Sequence, residues 1–229
     1  MAIQSLPVKR IDNKTGKVSY EDFLEWADEN THAEWVNGEV IIFMATKNVH
    51  QNVVELLHVM MNLFVSLLNL GKVRIAPFQM RLENSGREPD ILFITNAHME
   101  RLQENRLDGP ADLVVEVVSP ESVRRDREDK YKEYREAGIR EYWVIDPRPD
   151  KQRADFYYLN EEGDYELFAT EDDEQVYSKV LEGFWIRPSW LWQTDEIDPF
   201  VAFCEIRGLS AEQVSQIQGL LRSGEESVE

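Results

Sequence analysis

Three stretches of this chain put charged groups where a folded protein tolerates them least. Arg87-Glu88-Pro89-Asp90 runs straight into Ile91-Leu92-Phe93-Ile94, and Glu116 interrupts the apolar run from Leu113 to Val118. Both runs are short and partly β-branched, which predicts strands. A carboxylate inside a buried strand costs on the order of several kcal/mol unless it is paired or holds a metal. The third stretch is Asp126-x-x-x-Lys130-x-x-x-Tyr134. Two inward carboxylates with a lysine on the next helix suggest a Mg²⁺ (or Mn²⁺) site for hydrolysing phosphodiesters. Asp90 and Glu116 would hold the metal together with waters and phosphate oxygens. Lys130 would orient the nucleophile or neutralise charge building on the phosphorane-like oxygens.

The segment from 122 to 137 must then be a helix docked on those strands. At 100° per residue, with Val123 at the origin, Tyr134 falls at about 20°, Lys130 at about 340° and Asp126 at about 300°. Lys130 thus lies on the apolar face, whereas Lys132 faces water. Asp126 and Lys130 are four apart and can pair. The same residues also describe an internal ion-pair network without chemistry. His50 is a candidate base, phosphate contact or core residue. Gln79 and Arg81 are candidates to point at the site from a neighbouring strand. Tyr134 either orients Lys130 or packs.

The surrounding elements are legible from period and punctuation. Ser19 N-caps a short helix through Phe23, Leu24 and Trp26. Asn37-Gly38 is a hairpin turn signal, with Glu34 just before it and Glu39 just after. His50 to Leu70 reads as an apolar core helix that Gly71 stops. Strands are expected near 73–82, 90–94, 112–118 and 141–146, then a β-meander over 154–186. Leu209–Arg222 reads as a terminal helix. Residues 1–17 form a loose arm, 18–205 one domain, and 206–229 a helix with an acidic, fraying tail.

The chain has 229 residues, 42% hydrophobic and 30% charged, with one cysteine, Cys204. That is ordinary for a soluble globular protein and leaves room for one large core. No apolar run approaches the length of a membrane span, and the N-terminus lacks a signal-peptide pattern. The lone cysteine excludes an intramolecular disulfide and a cysteine-based zinc site. A reducing cytoplasm is the expected location. The net charge of −19 argues against nucleic-acid binding by the whole surface. Most of that excess lies in the last third, while the middle third holds over half of all Lys and Arg.

Pro89-Asp90, a later strand Glu116 and a nearby Lys130 resemble the PD-(D/E)XK nuclease superfamily. A longer ordered set resembles one branch of it, a restriction-type endonuclease family expanded in photosynthetic bacteria. That set is Glu34-Trp-Val-Asn-Gly-Glu39, His50, Arg87 to Asp90, Asp112 to Pro120, Asp126-x-x-x-Lys130-x-x-x-Tyr134 and Gly138-x-x-Glu141 through Pro147. In the simplest superfamily pattern the lysine follows the strand glutamate by two residues. Here Val118 stands there, and the resemblance implies that Lys130 replaces it from the helix. It implies a mixed α/β fold: a restriction-endonuclease-like central sheet flanked by helices, with the meander added. It also implies DNA as substrate, and Glu34 as an additional acidic metal ligand at the edge of the cleft. A catalytically inactive relative serving as a binding or assembly module is the alternative. Duplex cleavage needs two sites or one used twice, so a homodimer is expected, with the 154–192 region and its Trp185, Trp190 and Trp192 as the interface.

Overall fold

The computed structural model describes residues 17–27, 31, 33–42 and 47–223. The expected N-terminal arm up to residue 16, the fraying tail from 224 onward, and Phe43 and Met44 lie outside the described residues.

A six-stranded sheet runs in the order β11-β10-β9-β8-β6-β3. Its strands are β3 (Gly71–Ile75), β6 (Ile91–Thr95), β8 (Leu113–Val117), β9 (Glu141–Asp146), β10 (Arg153–Leu159) and β11 (Tyr165–Thr170). β8 and β9 are parallel and the other pairs antiparallel. Parallel neighbours need a crossover. Here it is the predicted docked helix, which ends in α3 (Lys130–Glu136). The fold is therefore the expected mixed α/β architecture.

A second sheet of short strands has the order β2-β1-β5-β4-β7. It comprises β1 (Ala33–Val36), β2 (Glu39–Ile42), β4 (Gln79–Arg81), β5 (Ser85–Arg87) and β7 (Arg106–Asp108). Asn37 and Gly38 make the predicted turn, both at positive φ. The preceding helix α1 (Tyr20–Trp26) is capped by Ser19, whose Oγ accepts the Asp22 amide. The predicted strand over 73–82 is divided: β3 belongs to the first sheet and β4 to the second.

Alternation along the strands splits the core in two. Val115, Val117, Trp143, Ile145 and Phe156 face α2 (Asn48–Leu68). Val114, Val118, Tyr142 and Val144 face Tyr134 of α3 and Met80 and Leu107 of the second sheet. By length and composition α2 could cross a membrane; eight of its residues are packed in the core. Its left-handed cap is Asn69, not Gly71. Gly71 opens β3, where a Cβ would fall 1.9 Å from the Ile94 carbonyl oxygen.

The expected meander divides as well. β10 and β11 extend the central sheet, whereas β12 (Val176–Tyr177) and β13 (Trp185–Ile186) form a separate ribbon. Trp185 and Trp190 are buried in the core of their own chain. Trp192 packs against the same core and is partly buried. α4 (Pro199–Ile206), capped by Asp198, packs on α2 and was not foreseen; α5 (Ala211–Ser223) is the expected terminal helix.

Candidate functional site

Glu116 lies on the face of β8 that meets α3, between Val114 and Val118 of the second core cluster. β6 pairs Ile91 with Val115. Carrying that register one residue further sets Asp90 beside Glu116. Asp90 Oδ2 accepts the Val117 amide at 2.7 Å, which fixes its carboxylate at the end of the strand pair. His50, on the first turn of α2, comes round from the other face and puts Nε2 3.3 Å from the same oxygen.

Lys130 arrives from the crossover helix. Its Nζ is 2.8 Å from Glu116 Oε2, 3.1 Å from Glu34 Oε1 and 3.6 Å from Asp126 Oδ1. The ammonium is almost fully buried, at 3% exposure. Tyr134, one turn on, donates its phenol to Glu116 Oε1 at 2.7 Å. Asp90, Glu116, Lys130, Asp126, Tyr134, His50 and Glu34 are thus brought together.

Glu34 sits at the floor of the cluster, not at its edge; it is completely buried. Its Oε2 accepts Arg87 at 2.9 Å, and its Oε1 accepts Lys130 and the Glu88 amide. Arg87 also grips Glu133 of α3, and Ser85 donates to Glu133. These bonds tie the second sheet to the helix. Gln79 stands one step back: it accepts the Tyr20 hydroxyl at 2.8 Å and bonds Glu88. Arg81 turns away and stacks over Tyr20 and Trp35.

The electrostatics follow from having too few cations. Burial, with the neighbouring Asp126, Asp90 and Glu34 charges, pushes Glu116 up to about 8 despite Lys130. Burial also raises Asp126, whose Oδ1 has no hydrogen-bond partner. Burial would raise Glu34 too, but Lys130 and Arg87 outweigh it and hold it low. For Lys130 burial alone would lower the value; Glu116, Glu34 and Asp126 overcome it, so the ammonium stays charged. Burial opposes charge on His50 as well, and the bond to Asp90 raises it nonetheless. Glu88, half-buried beside Glu34, is pushed up to about 7.

Sequence reasoning did not single out Glu88, Glu133 or the clamp that Arg87 forms. The signal was an Arg-Glu pair directly before Pro89-Asp90, where a strand entering the core leaves no solvent for either charge. Among the described residues, no three His, Cys, Asp or Glu side chains form a ready metal cage.

A carboxylate pair at a strand end, a buried lysine and a mixed sheet agree with what the chain is similar to. Residues 20–189 match the family model described as "Uma2: Putative restriction endonuclease". The fold matches a crystal structure of "a putative nuclease belonging to DUF820" from Anabaena variabilis, with a TM-score of 0.65 at 16% identity. That match covers 76% of this chain and 97% of the other. No curated protein matches the chain. The family model spans most of the chain and takes in every residue of the cluster, so the protein belongs to the Uma2 family of nuclease-like proteins.

Proposed function

We propose that this site hydrolyses phosphodiester bonds of DNA with Mg²⁺ or Mn²⁺ held by Asp90 and Glu116. The observation that carries the reading is the buried Lys130 ammonium, placed on Glu116 in a cluster whose carboxylates outnumber its cations. The donor set fits a hard cation, since it is all oxygen, and Mg²⁺ needs only one or two carboxylates plus waters. Raised Glu116 and raised Asp126 mark a surplus of carboxylates over cations in the same place. Lys130 and Arg87 hold Glu34 low and already compensate its charge, so its part is to hold Lys130.

A metal bound there supplies Lewis-acid polarisation of the phosphate and a more acidic water. The chain's own groups do the rest. Lys130 remains protonated, so it acts as a fixed charge facing the phosphate oxygens as water adds and the leaving oxygen departs. It is a poor general base, because its proton is held by three carboxylates. Tyr134 aims Glu116, and His50 and the Val117 amide aim Asp90. Such bonds hold a constellation in place before substrate arrives.

Calorimetry should detect Mg²⁺ or Mn²⁺ binding that Asp90→Ala removes, and supercoiled plasmid should be nicked in the presence of either ion. Failure of both overturns the reading. Ion binding without cleavage would instead leave a binding module that keeps the fold.

A further inference from the structure

Ser122, Asp126, Lys130 and Tyr134 are all buried, at steps of four. On a regular α-helix such a series slides steadily across the buried face. Four residues advance about 400°, so each step drifts about 40° and three steps about 120°. The chain resolves this with a π turn over Arg125–Asp129. The Lys130 amide bonds the Arg125 carbonyl, five residues back instead of four. The wider turn absorbs the drift and lets Asp126 and Lys130 both face Glu116.

That geometry deprives the Asp126 carbonyl of its helical donor, which would be the Lys130 amide. A buried carbonyl without a partner is unfavourable. The Tyr142 hydroxyl fills the gap, donating to the Asp126 carbonyl oxygen at 2.8 Å. Tyr142 is fully buried on β9, and burial together with the Glu116 and Asp126 charges keeps its hydroxyl protonated. Arg127, inside the turn, adds a second fastening by pairing with buried Asp155 on β10.

We propose that Tyr142 is a positioning residue: by capping the Asp126 carbonyl it stabilises the π turn that delivers Lys130 to Glu116. Its effect on catalysis rests on Lys130 being the cation of the proposed reaction; its effect on the turn does not.

Two variants test this, each by crystal structure and by cleavage kinetics. Tyr142→Phe removes only the hydroxyl. Tyr165→Phe is the control, because its buried hydroxyl also donates to a carbonyl, that of Ile139, at 2.8 Å. In Tyr142→Phe the Lys130 amide should move to the Asp126 carbonyl, and kcat should fall about tenfold or more with KM little changed. Tyr165→Phe should leave both the turn and kcat as they are. A Tyr142→Phe structure that retains the π turn overturns the proposal, as does a kcat no lower than that of Tyr165→Phe. Should the wild type cleave nothing with either ion, the nuclease reading falls and the crystallographic register alone decides the role of Tyr142. If Tyr142→Phe does not fold, NMR coupling across the bond from the Lys130 amide to the Arg125 carbonyl decides for the wild type; its absence overturns the proposal.

Discussion

Glu116 and Glu141 are both buried glutamates on adjacent parallel strands, and they have opposite surroundings. Glu141, completely buried on the α2 face, is satisfied by neutral donors: the Trp143 indole, the Ser178 hydroxyl and the amides of Lys179 and Val180. It organises the loop that closes the core. Glu116 has one phenol and one ammonium, and Asp90, Asp126 and Glu34 crowd it. Burial raises both groups, but only at Glu116 do neighbouring carboxylates add to the effect. A buried carboxylate is therefore no mark of chemistry by itself. The mark is negative charge that the fold leaves partly uncompensated, beside a cation it cannot release.

The contrast can be broken hardest at Lys130. Lys130→Met should reduce plasmid cleavage by orders of magnitude, since losing such a group typically costs about 3–4 kcal/mol of transition-state stabilisation. Lys132→Met, on the exposed side of the same helix, should change little. Equal activity of the two proteins would remove Lys130 from the mechanism.

Glu141→Gln should show the reverse pattern. It turns an acceptor of four donors into a group with its own N–H facing them, at a cost of about 1–3 kcal/mol in stability. Cleavage per folded molecule should stay at the wild-type level, while Glu116→Gln should abolish it. Chemical denaturation and single-turnover assays on the same preparations decide between them.

A third, smaller effect is read in pH. The ordinary value of Glu116 is 4.5 and the folded one about 8. Between those limits the folded protein holds a proton that the unfolded chain releases. Stability from this group is thus full below 4.5, declines as pH rises, and is gone above about 8. In metal-free protein, thermal unfolding of the wild type should fall with pH more steeply than that of Glu116→Gln. Parallel curves would mean that Glu116 is not raised. The smallest effect belongs to Tyr134→Phe, which removes one hydrogen bond to Glu116 and should lower stability by about 1 kcal/mol.

Much of this was legible in the sequence, because spacing and sidedness are enough to place Asp90, Glu116 and Lys130. Strand alternation sends Glu116 to one face, and a helical period sends Lys130 to meet it. The clamp of Arg87 on Glu34 and Glu133 was not legible, since it joins residues from three separate elements. The π turn was hidden for another reason: a wheel drawn at 100° per residue already puts Lys130 inward. Only the longer series from Ser122 to Tyr134, every fourth residue, betrays the extra width. The fate of the tryptophans was unreadable as well, because a buried ring and a docking ring have the same composition.

Lys130 on α3 and Glu34 on β1 meet across 96 residues of chain (130 − 34). Closing so long a loop carries an entropic cost that local helices and hairpins escape, and such contacts tend to form late in folding. The cluster around Lys130 should then be a reporter of completed folding. Glu34→Gln should speed unfolding and leave the folding rate nearly unchanged, as a residue absent from the folding nucleus does. A chain still being synthesised holds Asp90 and Glu116 before Lys130 has been added, so it has the acids without the cation. Strand and helix would be in place first, and the capacity to cut would come last.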